Sequence, residues 1–277
     1  MNKEHLCPVC SGPTVFRGSK TGYMDGRKFL IRHCELCHFS YVENYRTDLE
    51  NIYNENYYHG AGADPTVDYV YELENFSKTI RNYEWQGIYS IYKDLCPTNG
   101  RWLDYGSGSG GLVKFAIENG VDAMGFERGS IAGLEDLAGK FDFISAIEVL
   151  EHIPKPVEVL MQIRKLLKPA GVLFVTTGNA QPWRNNLLAW DYTKYLDAHV
   201  SFYEPETLAR CMRMSGFTPR EFSSFKGFDD IIKFKVLKTL KIKDRSRLID
   251  LLPWGVMTKF VDLRYKISRQ PYGVANG

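Results

Sequence analysis

Arg101-Trp102-Leu103-Asp104-Tyr105-Gly106-Ser107-Gly108-Ser109-Gly110-Gly111-Leu112 is the stretch that decides the fold. An apolar run ends in an acid, turns through alternating glycines and enters a helical pattern at Leu112-Val113-Lys114-Phe115-Ala116. Gly106, Gly108 and Gly110 permit a tight turn and let a ligand approach bare backbone. The helix that follows aims its free N–H groups at that ligand. No Gly-Lys-Ser/Thr follows, which argues against a nucleoside triphosphate. The spacing is G-x-G-x-G, not the dinucleotide G-x-G-x-x-G, and an acid stands two residues before the first glycine. Such a turn is weak evidence alone, because many strand-to-helix turns carry glycine for steric reasons.

The downstream residues strengthen it. Val121-Asp122-Ala123-Met124-Gly125-Phe126-Glu127 reads as a second short strand ending in an acid. Glu127 stands where an acid accepts hydrogen bonds from a ribose, although a solvated acid at a strand end would look the same. Phe141-Asp142-Phe143-Ile144-Ser145-Ala146-Ile147 fits a buried parallel strand, followed by Glu148-Val149-Leu150-Glu151-His152-Ile153-Pro154. Val157, Leu160, Met161, Ile163, Leu166 and Leu167 then recur at helical spacing. Lys168-Pro169-Ala170-Gly171 is a stop signal, and Val172 to Thr177 reads as the next buried strand.

This order resembles the class I S-adenosylmethionine (SAM) methyltransferases. The matching pieces are LDYGSGSG, GFE, FDFISAIEVLEHIPKP and LLKPAGVLFVTT, which together span residues 101 to 177. The resemblance implies an α/β fold with a Rossmann-like doubly wound sheet. It implies that Asp104, Gly106, Ser107, Gly108 and Gly110 hold the amino-acid end of SAM and that Glu127 binds the ribose. It places Glu148 beside the reacting methyl group. Only 13 residues separate Glu127 from Phe141, where the family usually fits a helix and a further strand. Ile131 to Leu137 reads as the tail of that strand and the loop after it, which puts the adenine contacts in question.

The chain has 277 residues, a formal net charge of +2, 44% hydrophobic and 25% charged residues, as an ordinary globular protein does. The charge decides nothing about nucleic acid. No run of 18 apolar residues exists and the first residues lack a signal-peptide core, so a cytoplasmic protein is expected.

Cys7-Pro8-Val9-Cys10 and Cys34-Glu35-Leu36-Cys37 form two C-x-x-C knuckles. Cys7, Cys10, Cys34 and Cys37 together can close a tetrahedral Zn²⁺ shell. The shell is complete without His33 or His38, so the ion is read as structural, in a small N-terminal ribbon over residues 1–45. Disulfides do not suit a reducing compartment. Cys96 and Cys211 read as packed core residues.

Residues 46–100 are an aromatic segment with a helical lead-in, read either as a lid over the site or as a linker. The SAM-binding core is expected over 101–225 and a basic extension over 226–277. The stretch from Ile231 to Gln270 carries 11 Lys/Arg against 3 Asp/Glu. It can lie on an anionic membrane, steer an anionic substrate, or cover the domain as an amphipathic helix. The insertion after Thr177, with Trp190, Asp191, Tyr192 and Tyr195, leaves the carboxyl end of a parallel strand, where ligands bind.

Methyl transfer needs alignment first and a general base second. His199 and His152 are the leading candidates, with Tyr58 and His59 behind them; His152 also reads as a tether for its loop. Glu-Val-Leu-Glu-His resembles ubiquinone-biosynthesis O-methyltransferases, and that resemblance implies Mg²⁺ on Glu148, Glu151 and His152. The ribbon resembles that of sugar C-methyltransferases. The preferred acceptor is a small molecule: a sugar, nucleotide sugar, polysaccharide or natural-product intermediate, methylated on carbon or oxygen. The alternatives are an RNA methyltransferase with an RNA-binding ribbon, against which the absence of an Asn-Pro-Pro-Tyr-type motif weighs, and a degenerate methyltransferase used as an interaction module.

Overall fold

The computed structural model describes residues 5–260 except 64, 66, 97, 128–134 and 221–226. Its chain order opens with strands β1 (Thr14–Thr21), β2 (Lys28–Cys34) and β3 (Ser40–Val42), then short helices α1 (Leu49–Ile52), α2 (Glu55–Tyr58) and α3 (Tyr69–Glu74). Helix α4 (Arg81–Leu95) leads into β4 (Trp102–Tyr105), α5 (Gly111–Glu118), β5 (Ala123–Phe126) and β6 (Phe141–Ile147). Then come α6 (Pro156–Leu166), β7 (Leu167–Thr176), β8 (Ser201–Phe202), α7 (Pro205–Met214), α8 (Phe228–Thr239) and α9 (Arg247–Asp250).

Strands β5, β4, β6 and β7 lie side by side in that order, and every pair is parallel. Alternate residues of β6 explain the two layers, because successive side chains point to opposite faces. Phe143 packs with Trp85, Tyr92, Phe115 and Ile231, from α4, α5 and α8. Ile144 packs with Leu160, Ile163, Leu208 and Met212, from α6 and α7. The result is the doubly wound, Rossmann-like sheet expected. The residues 128–134, on which most of the reading of a lost strand fell, lie outside the described residues; Glu135–Leu137 form a single 3₁₀ turn.

Two local readings change, and one alternative for the basic extension is favoured. Strand β7 begins at Leu167, so the stop signal ends α6 and then runs on as strand. Pro169 is tolerated because β7 is an edge strand of the described sheet and needs no N–H there. Met161 is 47% exposed, off the buried face that its spacing suggested. Of the apolar residues in the basic extension, Ile232, Phe234 and Leu237 are buried, and α8 lies on α4. Its described part therefore covers the domain. Among the described residues no helix is long and apolar enough to cross a membrane.

The ribbon is not a separate bead. Strands β1, β2 and β3 form an antiparallel sheet whose fourth strand is β8, contributed from beyond β7. Cys7, Cys34, Cys37 and Phe39 are buried in the same cluster as Ile144 and Leu208. Thr207, in the first turn of α7, donates to the Cys37 carbonyl at 2.6 Å.

Candidate active site

The loop after β4 has the shape its glycines predict. Gly106, Gly108 and Gly110 have φ of +81°, +53° and +82°, in the left-handed region that side chains disfavour. A Cβ on Gly106 would lie 2.5 Å from Val149 Cγ2, and one on Gly108 would lie 3.1 Å from the Tyr69 ring. Gly110 caps α5 and faces neither of the two cavities described next.

Those cavities meet at the glycine loop. The larger, of about 650 Å³, reaches from Asp104, Gly106 and Ser107 to Tyr192 and His199. The smaller, of about 130 Å³, runs past Gly108 to Glu127 beside Tyr53, Tyr57 and Tyr58. Gly106, Tyr69, Ile147, Glu148 and His152 line both. Tyr53, Tyr57, Tyr58 and Tyr69 of the 46–100 segment line the smaller cavity, with Tyr57 and Tyr69 stacked at 5.7 Å. His59 is exposed and lines neither cavity, so the structure does not bring it to the site.

Asp104 is buried at the end of β4. Trp102 Nε1 donates to Ser145 Oγ at 2.8 Å, and that hydroxyl donates to Asp104 Oδ1 at 2.6 Å. Burial pushes the Asp104 carboxyl up to about 7, the serine opposing and the charges of Glu127 and Glu84 adding. Glu127 Oε2 accepts the Gly108 N–H at 2.7 Å, which ties the second acid to the glycine loop.

Glu148 adopts φ +53°, a position sequence reading had no means to anticipate. It accepts from Thr176 Oγ1 at 3.1 Å, Tyr192 OH at 3.1 Å and Lys235 Nζ at 2.8 Å. Burial opposes its ionisation, yet Lys235 and Lys238 hold it well below the usual carboxylate range. Glu151 goes the other way. Burial, then the charge of Glu148, pushes it up to about 8. Its carboxyl also meets the Tyr192 hydroxyl, and Thr177 Oγ1 donates to it at 2.8 Å.

His152 Nδ1 lies 3.1 Å from the Ala198 carbonyl and His199 Nδ1 lies 3.0 Å from the Tyr192 carbonyl. Each Nδ1 facing a carbonyl carries the proton, which makes Nε2 the basic nitrogen. The two rings meet edge to face at 5.0 Å, and Tyr192 stacks on His199 at 4.2 Å. Sequence reading missed Lys235, Arg81 and Glu84 as site residues. Arg81 Nη1 donates to Glu84 Oε2 at 2.5 Å, and the i,i+3 spacing on a helix was the one signal available.

The cation suggested for Glu148, Glu151 and His152 is corrected by this geometry. Glu148 is engaged by Lys235, and the atoms that converge within 4.8 Å belong to Glu151, His152 and His199. One carboxylate with two imidazoles does not fit Mg²⁺, which takes oxygen ligands. The ribbon site does fit its ion. The sulfurs of Cys7, Cys10, Cys34 and Cys37 all lie within 4.8 Å of one another. Cys7–Cys37 and Cys10–Cys34 are separated by 3.6 and 3.4 Å. A tetrahedron with Zn–S bonds of about 2.3 Å has edges of roughly 3.8 Å.

The sequence profile of a family described as a methyltransferase domain matches residues 78–221. A ubiquinone biosynthesis O-methyltransferase from Dechloromonas aromatica is 32% identical over 120 residues, 40% of this chain and 51% of that protein. One from Acinetobacter baumannii is 25% identical over 155 residues, 44% of this chain and 65% of that protein. The chain thus matches between half and two-thirds of these relatives' length. A solved structure of Haemonchus contortus phosphoethanolamine N-methyltransferase 2 with SAM is 14% identical, with a TM-score of 0.43 over 86% of this chain and 60% of that one. With a matching profile across more than half its residues and the glycine loop in place, the chain belongs to the methyltransferase-domain family, the class I SAM-dependent methyltransferases.

Proposed function

We propose that this protein transfers the methyl group of SAM to a small-molecule acceptor: a sugar, nucleotide sugar, polysaccharide or natural-product intermediate, on carbon or oxygen. The observation that carries this reading is the junction of two cavities at Gly106, Glu148 and His152. The smaller suits the adenosine end, with Glu127 for the ribose and the tyrosines as a lid. The near part of the larger suits the methionine end, beside Asp104, Gly106 and Ser107; Gly108 and Gly110 shape the loop. The far part, by Tyr192 and His199, receives the acceptor.

When bound, SAM supplies a methyl group on a sulfonium, and that bond breaks with its electron pair left on sulfur. Alignment of the acceptor is the work of the cavity walls. His199 is proposed to take the acceptor's proton at Nε2, since its Nδ1–H is spent on the Tyr192 carbonyl. His152, held to the Ala198 carbonyl, fixes the loop against which the acceptor rests. Zn²⁺ on the four cysteines is proposed as structural.

An RNA substrate finds less support. Lys20 is spent on Leu188 and Thr193, Arg32 on Glu43, and Arg17 lies by Glu35. SAM titration by calorimetry tests the proposal. Binding that is lost in Asp104→Ala supports it; no binding by the native protein would leave the interaction-module reading.

A further inference from the structure

The segment from Leu187 to His199 carries Tyr192, Tyr195 and His199 into the larger cavity on two short 3₁₀ turns, Leu187–Ala189 and Asp191–Tyr195, in place of longer helices. Such a segment needs a backing to hold a base in register with a reacting atom. The ribbon lies behind it.

The ribbon hairpin is shaped for that contact. At Gly18, φ is +122° and a Cβ would lie 2.8 Å from Leu188 Cδ1. At Gly22 a Cβ would lie 2.5 Å from Phe29 Cε2 and 2.6 Å from Asp197 Oδ2. Both glycines therefore let the loop approach more closely than any side chain would. Between them, Lys20 Nζ donates to the Leu188 carbonyl at 2.8 Å and to Thr193 Oγ1 at 2.9 Å.

Asp197 is fully buried, and among the described residues its side chain is held by Tyr23, Met24 and Arg46, from the N-terminal quarter of the chain. Oδ2 accepts the N–H groups of Tyr23 at 2.6 Å and Met24 at 3.2 Å; Oδ1 accepts Arg46 Nε at 3.0 Å. A buried carboxylate with three donors, one of them a guanidinium, is a directional fastening. It sits two residues before His199. On the other side of His199, the Val200 carbonyl accepts the Val42 N–H at 2.9 Å and β8 joins β3. His199 is thus strung between two anchors, both on the ribbon.

We propose that the cysteine ribbon is the back wall of the acceptor site and that Asp197 is a positioning residue, which sets the place of His199 through the ribbon hairpin. The inference rests on the reading of the larger cavity given above. It makes the ribbon an acceptor-side element of a methyltransferase, without contact with the acceptor itself.

The test uses full-length, zinc-loaded protein and three variants: Gly22→Ala, Lys20→Met and Asp197→Asn. Backbone amide exchange over residues 187–199, the imidazole NMR signals of His199 and SAM affinity are measured together, with the buried Trp102 as the core reporter. The expected result is exchange at least about tenfold faster over 187–199 and displaced His199 signals, with Trp102 exchange and SAM affinity unchanged. Unchanged His199 signals in Gly22→Ala and Lys20→Met would overturn the proposal. So would equal acceleration at Trp102, because that reports general destabilisation. If Asp197→Asn does not fold, the two ribbon variants decide. Failure of the native protein to bind SAM would sink the methyltransferase reading, while loop exchange would still report whether the ribbon positions His199.

Discussion

Lys235 Nζ lies 2.8 Å from Glu148 Oε1, which joins a helix of the basic C-terminal segment to the residue just past the end of β6. A charge that reads in sequence as part of a solvated amphipathic helix is in the structure a wall of the larger cavity. The same neighbourhood drives two neighbouring acids apart, Glu148 well below the usual carboxylate range and Glu151 up to about 8.

Lys235→Met should therefore leave Glu148 without its nearest cation. Glu148 and Lys235 are partly exposed, so the expected loss at pH 7 is about 1–3 kcal/mol, below that of a fully buried pair. The folded-state pKa of Glu148 is depressed, so this stability is present above the ordinary carboxylate range and is lost as pH falls below it. The gap between native and variant should close in acid. Urea unfolding at pH 7 and at low pH measures both, and Lys235→Arg should restore most of the loss.

Asp104 gives the opposite slope. Its carboxyl is raised from 3.8 to about 7, so the folded state binds the extra proton between those values. Stability from this group is complete below its unfolded value and declines as pH rises through about 7. Asp104→Asn should flatten that decline. In the native protein a cation at the site favours the carboxylate, so SAM binding should tighten from pH 5 to 7 and release protons, as read from calorimetry in buffers of different ionisation enthalpy.

Gly106 and Gly120 share φ of +81° but not surroundings. A Cβ on Gly106 meets Val149 at 2.5 Å, whereas one on Gly120 meets nothing within 4 Å. Gly120→Ala should cost about 1 kcal/mol of stability, the conformational term alone. Gly106→Ala should cost more and weaken SAM binding by about tenfold or more, because the loop that borders both cavities must move. Thermal unfolding and SAM titration of the two variants separate strain from collision.

Cys10→Ser should lose the bound metal and loosen the ribbon sheet. Elemental analysis is expected to show about one zinc per native chain and little in the variant. Because β8 belongs to that sheet, Thr207 and the start of α7 should lose amide protection as well.

Much of this was legible because it is local. The run into Asp104, the glycine turn, the strand of Phe141 to Ile147 and the paired cysteine knuckles each carry their own chemistry within a dozen residues. The parts that were not legible are juxtapositions. Nothing in the two residues of β8 announces a ribbon strand, since two residues have no periodicity. Nothing near Glu148 predicts a lysine 87 positions later. His59 read as a candidate because it belongs to the aromatic segment read as a lid, but Tyr57 and Tyr58 turn to the smaller cavity and the histidine is left exposed.

The pairing of β3 with β8 also sets an order of assembly. A ribosome delivers β1, β2 and β3 first and withholds β8 until the entire parallel sheet has been made. Until then β3 is an open edge, able to pair with the wrong strand of the same or another nascent chain. The metal can gather its four thiolates early, but the sheet around them is completed only when residues 201–202 arrive. Newly made protein that stalls before that point is the form most exposed to aggregation.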